Sequence, residues 1–492
     1  MRPSHSRPRV VFDDPNLLGA AGLVPALALA RAAGLEAHLA GLGVPVPKAA
    51  AKVTCVVAGM LAGADSIDDL DLLRHGAMRR VFTGIAAPST LGTALRAFTH
   101  GHVQQLDRAG AALLAGLATR VPGLLGAQGA DGAGADADAG AGAGAGASGS
   151  VTFVDVDDTV RAVHGYAKQA AGFGYTRQRG LNVQLATIAT TDSAPVIARA
   201  RLRRGSCASA TGAGRLLAQA HTTATAAGVR GPVVARADSA YYGWAFIGTA
   251  VRRGITFSVT ARQNPAVRAA IASIAEDAWT PITYPTAVYD ETEDRWISDA
   301  QVAEVPFTAF TSRRKAQHVH ARLVVRRVRR LGATGAGAGQ GELFDTWRHH
   351  AFLTNAPHPD HGDGAGPPGP AAVDTVAADV RHRAHAVIEQ VIAELKDGAL
   401  AHLPSGHYAA NAAWVSAAVM AFNLARASAT AAGMTRARWA TVRTRIINIP
   451  ARLASRARTQ VLHLPTHWPW AGAWARLWDT VTATGPPTPA RT

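Results

Sequence analysis

Carboxylate side chains occur at three separate places in this chain where the surrounding pattern would fix their positions. A group of aspartates lies in the stretch 151–160, a single aspartate, Asp238, follows the apolar run 233–237, and Glu389 lies in the helical run 382–396. Carboxylates brought together repel one another and become stable when cations bind between them. Hard oxygen ligands suit Mg²⁺ or Mn²⁺. The pattern therefore predicts a metal site for phosphodiester chemistry.

The first aspartate site offers more than one candidate ligand. Because side chains alternate along a strand, Asp155 and Asp157 share one face and Asp158 points the other way. Asp238 stands at the end of its own strand, where a neighbouring strand could bring Asp157 close to it. Asp155 stays an alternative to Asp157, since both lie on the same face.

The helical run adds a geometric test for the third carboxylate. At about 100° per residue, one narrow polar stripe holds four residues: His382, His385, Glu389 and Lys396. The stripe lies at the edge of an apolar face. Glu394 points away from it, so Glu389 is the better candidate ligand.

The overall charge predicts an anionic partner. The chain has 492 residues, a net charge of +16 and many more arginines than lysines, which suits bidentate contacts to phosphate. Its two cysteines make neither a disulfide framework nor a zinc spacing. No apolar stretch reaches membrane-spanning length. We expect a cytoplasmic protein that binds nucleic acid and does not enter a membrane.

Changes of composition and periodicity divide the chain into segments. Between the helical and strand-like parts lies a Gly/Ala/Asp stretch of low complexity that cannot pack. The expected segments are a helical N-terminal DNA-binding region at 1–125, a flexible linker at 126–150, the first part of a catalytic core at 151–261, a β-rich insertion with loops at 262–372, the final core helices at 373–430 and a C-terminal region at 431–492.

The core segment has a recognisable order of elements. Strand patterns are expected at 151–157, 181–190, 195–203, 233–237 and 256–261, with a helix at 216–227 and a short helix before the last strand. A strand meander followed by alternating units predicts an α/β (α+β) fold with a mixed sheet and flanking helices. That order matches the ribonuclease-H-like fold.

Three motifs together carry a family resemblance: Asp157-Asp158-Thr159, Asp238-Ser239-Ala240-Tyr241, and Glu389 with Lys396 on one helix. In this order they resemble bacterial insertion-sequence DDE transposases of the insertion-sequence-4 group, and within or near it the insertion-sequence-1380 family. Further matching stretches lie at 12–17, 64–69, 71–76, 261–265 and 403–406. The likeness extends from about residue 10 to residue 472.

The resemblance implies an activity and a set of ligands. It implies a ribonuclease-H-like core with a β-rich insertion, and strand cleavage and joining at the terminal inverted repeats of an insertion sequence. The catalytic and metal-binding residues would be Asp157, Asp238 and Glu389, with Asp155 as the alternative first aspartate. They would hold two Mg²⁺ or Mn²⁺ ions. The partner would be double-stranded DNA, bound by a homodimer associated with the nucleoid.

The same group has a Tyr-Arg-Glu-Lys signature, in which the Tyr, Arg and Lys hold phosphate. Lys396 fits that signature, but His385 and His382 occupy the Arg and Tyr positions, so this chain departs from the pattern there. Phosphate binding by these three residues is the corresponding expectation. Two other functions fit the residues: a nuclease of the same fold that cuts without joining, and a catalytically decayed DNA-binding protein.

Overall fold

A computed structural model describes residues 10–126, 151–282, 288–290, 295–297, 300–329, 347–361, 371–456 and 459–483. The predicted linker beyond Gly126, the Gly/Ala-rich stretch 331–341 and the middle of the predicted loop 356–372 lie outside these residues. Among the residues described, no helix combines the length and apolar character needed to cross a membrane.

Helices occupy most of the N-terminal and C-terminal parts of the described chain. The α-helices are α1 Leu23–Ala32, α2 Leu35–Ala40, α3 Ala49–Ala62, α4 Met78–Val81, α5 Pro88–Arg96, α6 His100–Arg120, α7 Ala213–Ala226, α8 Trp244–Arg252, α9 Pro265–Ala272, α10 Thr375–Arg383, α11 Val387–Lys396, α12 Tyr408–Ala431, α13 Trp439–Val442 and α14 Ala471–Thr482. Short 3-10 turns lie between several of them, among them Asp68–Leu73, Ser239–Tyr241 and Ala384–Ala386.

Strands occupy the middle of the chain, with a small sheet formed by its ends. The strands are β1 Leu17–Leu18, β2 Thr152–Ala162, β3 Gly172–Phe173, β4 Arg179–Ala189, β5 Val196–Arg204, β6 Val233–Ala237, β7 Thr256–Thr260, β8 Thr280–Ile282, β9 Val288–Asp290, β10 Arg295–Ile297, β11 Ala300–Ala309, β12 Val319–Arg329, β13 Trp347–Thr354, β14 Ala451–Arg456 and β15 Thr459–His463.

The chain forms two compact units, and the first is mainly helical. It contains Met1–Val121, Ala167–Gln169 and Glu394–Pro489. Its central element is α12, which is buried along almost its whole length and packs against α3 and α6. A helix that is apolar on every side must be surrounded by other elements, and here the N-terminal helices surround it. The predicted N-terminal region and the end of the chain therefore share one core.

The second unit is built on a ten-stranded mixed sheet in the order β3-β4-β2-β6-β7-β13-β12-β11-β8, with β5 paired to β4. Strands β2, β6 and β7 are parallel neighbours, and the other pairs are antiparallel. The predicted order of three meander strands followed by alternating helices and strands is confirmed. The sheet and its flanking helices are consistent with a ribonuclease-H-like fold.

The region expected to be a β-rich insertion does form strands, and they extend the main sheet. Strand β13 pairs with β7 through Phe352↔Thr260 and its neighbours, and β12 and β11 follow outward. The buried side chains Val324 and Phe352 pack with Val373 in one apolar cluster. The extension therefore shares backbone hydrogen bonds with the core.

The run 382–396 is not one continuous α-helix, which corrects the sequence-based geometry. Helix α10 ends at Arg383, the turn Ala384–Ala386 is 3-10, and α11 begins at Val387. A 3-10 turn rotates by about 120° per residue, so three such residues displace the following helix by roughly 60° from the continuous α-helical phase. The four residues of the predicted stripe therefore belong to two α-helices joined by a 3-10 turn, not to one helix.

Candidate active site

The aspartates of β2 point to two sides of the sheet, as strand alternation predicts. Asp155 and Asp157 both interact with His385. Asp158 instead contacts side chains from β4 and β5. Only the face shared by Asp155 and Asp157 can contribute to a site with His385.

Asp158 is held in a buried polar network. Its carboxylate accepts hydrogen bonds from Asn182 Nδ2 at 2.7 Å and from the Ser209 hydroxyl at 3.0 Å, and it forms an ion pair with Arg203. The Arg203 Nε also donates to Asn182 Oδ1 at 2.9 Å. Because buried charges are stable only when paired and hydrogen-bonded, we assign Asp158 a structural role.

Asp155 is also engaged by protein groups. Arg236, its direct partner in the parallel β2–β6 register, donates from Nε at 2.6 Å and from Nη2 at 2.8 Å. The ring nitrogen Nδ1 of His385 lies 3.0 Å from the same carboxylate. Burial by itself raises the pKa of Asp155, but the Arg236 charge and the His385 hydrogen bond outweigh it and lower that pKa. Asp155 is thus a buried, ionised partner of Arg236 and a hydrogen-bond partner of His385.

Arg236 is itself completely surrounded. Its guanidinium lies 4.0 Å from the ring centroid of Phe153 and donates to the Arg381 carbonyl at 2.7 Å. These contacts connect β6, β2 and α10 around one buried cation. The arginine therefore fixes the end of α10, and with it the position of His385.

Asp157 and Asp238 occupy matching positions at the end of the parallel pair. The β2–β6 register ends at Val156↔Ala237, and each aspartate is the next residue of its strand. Neighbouring strands lie about 4.8 Å apart, and equivalent residues of parallel strands face the same way. The two aspartates therefore follow paired residues at one end of the strands, and the charge of Asp238 acts on Asp157.

The electrostatics of Asp157 reflect that proximity. Burial raises its pKa most, the charges of Asp238 and Asp158 raise it further, and the result is about 6. The backbone N–H of Asp158, which donates to Asp157 Oδ1 at 2.7 Å, and the positive charge of His385 oppose the increase. An ionised Asp157 is therefore unfavourable in the protein unless a cation joins it.

Asp238 caps the 3-10 turn that follows β6. Its Oδ1 accepts the Ala240 N–H at 3.0 Å. The residue as a whole is exposed, but desolvation of its carboxyl raises its pKa, and the Asp158 charge adds to that increase. The Ala240 hydrogen bond and His385 act in the opposite direction.

Arg262 holds the turn that carries Asp238. Its Nε donates to the Ser239 carbonyl at 2.9 Å and its Nη2 donates to the Ala240 carbonyl at 3.1 Å. A guanidinium that binds two successive carbonyls restricts the turn in two directions. Arg262 therefore orients Asp238 without touching its carboxylate.

His382 lies away from the carboxylate pair. Its two ring nitrogens form hydrogen bonds with the hydroxyls of Ser258 (2.8 Å) and Thr260 (3.0 Å), and its ring stacks on Phe352 with centroids 4.1 Å apart. Burial, followed by nearby positive charges, lowers its pKa to about 3, so the ring is neutral. The phosphate contact predicted for His382 would require the ring to leave these partners.

A second contact secures α10 on the sheet. Asp379 is buried and forms ion pairs with Arg326 of β12 at 2.8 Å and with Arg383 at 2.8 Å. Together with the contacts of His382, this pair holds α10 against β7, β12 and β13. The helix can therefore present His385 to Asp155 in a fixed position.

The two glutamates of helix α11 lie in different environments. Glu389 is exposed, whereas Glu394 is buried and accepts from Arg426 Nη2 at 2.7 Å and from the Trp439 N–H at 2.6 Å. Glu389 as the third ligand stays a prediction, and Glu394 is already bound by protein groups. Lys396 lies half-buried in the last turn of the helix.

The donor set at the end of β2 and β6 suits a hard cation. Within the parts of the chain that the structure describes, no three His, Cys, Asp or Glu side chains form a group able to hold a metal ion. Asp157 and Asp238 nevertheless provide two repelling carboxylates, and Mg²⁺ is commonly bound by one or two carboxylates together with water and substrate phosphate. The pair fits such an ion, while Glu389 does not form a group with it.

Two arginines were missed as parts of the site. The sequence does show Arg236 as the only polar residue of a buried strand pattern, and Arg203 as the last of three alternating arginines in β5. A charge in an otherwise apolar strand signals a buried partner. The sequence could not say that Asp155 and Asp158 were those partners, because the strands that pair them are far apart in the chain.

Comparison with known families identifies one matching segment of the chain. Residues 145–332 match the family model described as transposase DDE domain group 1. The matched segment contains Asp157 and Asp238, and it ends before Glu389. The match supports a DDE transposase, an enzyme that acts on DNA. No curated protein matches the chain.

Proposed function

We propose that this protein is a transposase that cleaves DNA at the terminal inverted repeats of an insertion sequence and joins the ends to a target. The observation that carries the proposal is the placement of Asp157 and Asp238 immediately after the paired residues Val156 and Ala237. The raised pKa values of both carboxyls support the proposal, since a bound cation would offset the cost of ionising them. The sequence motifs support the insertion-sequence-4 group, near the insertion-sequence-1380 family, as its place among transposases.

The proposed metal ligands are Asp157, Asp238 and Glu389. Asp155 is the less favourable first aspartate, because Arg236 and His385 already occupy its oxygens. Glu389 is exposed on α11 and would complete the set by approaching the pair when DNA binds. Two Mg²⁺ or Mn²⁺ ions bound there would supply Lewis-acid polarisation of the phosphodiester.

The protein's own residues would orient the DNA and its leaving group. Asp155 contacts Nδ1 of His385, so Nε2 would donate to a phosphate oxygen when both ring nitrogens carry a proton. Lys396 would contact phosphate as a simple cation. His382 would act by holding α10 in place, since its ring is buried and neutral.

The proposal includes a dimer and a nucleoid location. Two transposon ends must be brought together before joining, so each end would be bound by one copy of the chain in a homodimer. The net charge of +16 suits binding to double-stranded DNA. A basic N-terminal helical region would supply contacts to the DNA backbone.

The test uses the full chain and a duplex that carries the inverted repeat flanking its gene. With Mg²⁺ we expect cleavage at the repeat end, and with pre-cleaved ends and a target plasmid we expect a strand-transfer product. Asp157→Asn and Asp238→Asn should each lower cleavage at least ~100-fold, since loss of even an outer partner of a metal ligand costs up to about that much. Asp192→Asn, an exposed aspartate in the β4–β5 turn, is the matched control.

Each outcome separates one alternative. Cleavage without joining would support the nuclease, and DNA binding without Mg²⁺-dependent cleavage would support a decayed protein. Full cleavage by Asp238→Asn would exclude the proposed carboxylate pair. Full cleavage by Glu389→Gln would move the third ligand elsewhere.

A further inference from the structure

Three large aromatic side chains are exposed on one short segment next to the carboxylates. Tyr166 is 100% exposed, Phe173 67% and Tyr175 64%. The segment connects β2 to β4 and contains β3. Large apolar side chains left in water contribute little to folding, so an exposed group of them indicates contact with another molecule.

Backbone contacts hold the segment in place, so the exposure of its aromatic side chains is a fixed feature. Strand β3 pairs with β4 through Phe173↔Arg179. The Arg177 N–H donates to the Gly174 carbonyl at 3.0 Å and closes the turn that carries Tyr175. A Cβ on Gly174 would lie 2.4 Å from the Gly205 carbonyl oxygen, so the turn packs backbone against backbone.

One arginine also ties the first aromatic to the others. Arg179 donates from Nη1 to the Gly165 carbonyl at 2.6 Å and from Nη2 to the Tyr166 carbonyl at 3.0 Å. Because Arg179 is also the strand partner of Phe173, Tyr166 and Phe173 belong to one local structure. We call Tyr166, Phe173 and Tyr175 the aromatic hairpin.

Backbone strain marks the same segment. Ala170 and Arg177 both have left-handed φ values, +62° and +55°. Residues other than glycine rarely adopt this region, and they do so at a cost of roughly 1 kcal/mol or more, most often at functional sites. The strained residues flank the stretch that carries Phe173 and Tyr175.

Charge favours a nucleic acid over a second copy of the chain as the occupant. The exposed cationic residue Arg177 and the exposed His164 lie among the aromatics. Partial burial, followed by the charges of Asp158 and Asp157, raises the pKa of Tyr175, so its hydroxyl stays a donor close to the carboxylates. Aromatic rings interleaved with cations are what single-stranded nucleic acid requires, since bases stack on rings and phosphates contact the cations.

We propose that the aromatic hairpin stacks unpaired bases of the DNA strand next to the carboxylate pair. Phe173 and Tyr175 provide the rings, Arg177 contacts the adjacent phosphate and Tyr166 extends the surface. The proposal rests on the proposed function only in taking DNA as the substrate. Its direct consequence is a preference for DNA ends that carry a single-stranded extension.

The experiment measures binding with the full chain in EDTA, where metal-dependent cleavage cannot occur. The probes are a blunt duplex and the same duplex with a short single-stranded extension that contains 2-aminopurine. We expect tighter binding of the extended duplex and quenching of the 2-aminopurine fluorescence as its base stacks. Phe173→Leu and Tyr175→Leu should each weaken binding of the extended duplex by roughly 5- to 150-fold, the loss expected for one stacked base, and leave binding of the blunt duplex unchanged.

Conservative variants separate stacking from folding. Phe173→Tyr and Tyr175→Phe keep the ring and should retain both the preference and the quenching. Val251→Ala, at an exposed apolar position on α8, should change neither. The proposal would be overturned if the leucine variants kept the wild-type preference for the extended duplex. It would also be overturned if only their sedimentation changed, because the aromatic hairpin would then contact a second copy of the chain. Because binding is measured without cleavage, failure of the proposed catalytic function gives a separate result.

Discussion

Asp155 and Arg236 lie directly opposite each other in the parallel strands β2 and β6, and their side chains form a buried two-point ion pair at 2.6 and 2.8 Å. This pair distinguishes two aspartates that the sequence left equivalent. Asp155 neutralises the buried Arg236 and forms a hydrogen bond with His385. Asp157 instead has a raised pKa and lies at the same strand end as Asp238. Strand β2 thus supplies two structural carboxylates, Asp155 and Asp158, and one, Asp157, that we propose as a metal ligand.

Removing the Asp155 carboxylate should destabilise the fold. Asp155→Ala leaves the Arg236 guanidinium buried without its counter-charge, which costs about 3–5 kcal/mol in similar cases. Urea unfolding followed by tryptophan fluorescence measures the difference. Asp71→Asn breaks an exposed ion pair with Arg74 and should cost less than about 1 kcal/mol. Equal stability of Asp155→Ala and the wild type would contradict the proposed role of the pair.

Asp157→Asn should stabilise the protein at neutral pH while abolishing cleavage. The folded pKa of Asp157 is about 6 and its ordinary value is 3.8, so between these values the folded state binds a proton that the unfolded state does not. The ionised carboxylate therefore weakens folding at neutral pH, and the cost disappears as the pH falls through this window. The side-chain oxygen of the asparagine still accepts the hydrogen bond from the Asp158 N–H.

The measurement is the midpoint of thermal unfolding across that pH range. The Asp157→Asn midpoint should exceed the wild-type midpoint at neutral pH, and the two should converge near pH 4. A constant difference at every pH would show that the Asp157 charge does not cause it. Metal must be removed with EDTA, since a bound cation would conceal the repulsion.

Divalent cation binding should weaken as the medium becomes more acidic. A carboxylate must be ionised to act as a ligand, so Mn²⁺ affinity should decrease as the pH falls through about 6 and Asp157 takes up its proton. Calorimetric titration of the full chain with Mn²⁺ measures this dependence. Asp192→Asn, at an exposed position outside the proposed ligand set, serves as the comparison. An affinity independent of pH in this range would indicate different ligands.

The two glutamates of α11 should give opposite results. Glu394→Ala leaves the buried Arg426 and the Trp439 N–H without their acceptor, so we expect a loss of about 3–5 kcal/mol in folding stability. Glu389→Ala changes an exposed side chain and should alter stability by less than ~0.5 kcal/mol while abolishing cleavage. Parallel unfolding and cleavage assays on the two variants test the assignment. A stable, inactive Glu394→Ala would reverse it.

His382→Leu should cost stability most at neutral pH. It leaves the hydroxyls of Ser258 and Thr260 without their partner, a loss of about 1–3 kcal/mol. The pKa of His382 is about 3 in the folded protein, and its ordinary value is 6.5. Between these pH values only the unfolded state takes up the proton, so acid destabilises the wild type. The leucine variant lacks this sensitivity, and the stability difference should therefore narrow with falling pH. His38→Leu, at an exposed position, is the control.

The sequence predicted most of the strands of the core because their pattern is local. Strand β6 was expected at 233–237 and is Val233–Ala237, and alternation along β2 correctly separated Asp158 from its two neighbours. The helical run near the end of the chain was less predictable. Neither glycine nor proline marks the 3-10 turn Ala384–Ala386, and that turn divides the expected helix into α10 and α11.

The sequence by itself determined the order of elements, the carboxylates at the strand ends and the basic character of the chain, because periodicity and charge are properties of neighbouring residues. The tertiary structure alone decided which carboxylates are neutralised. Asp155 meets Arg236 across 81 residues, and Asp158 meets Arg203 across 45. Such pairs form only when strand register is set, since register depends on hydrogen bonds between distant segments. Among the described residues of this sheet end, Asp157 and Asp238 have no arginine contact, which supports the proposal that they bind the metal.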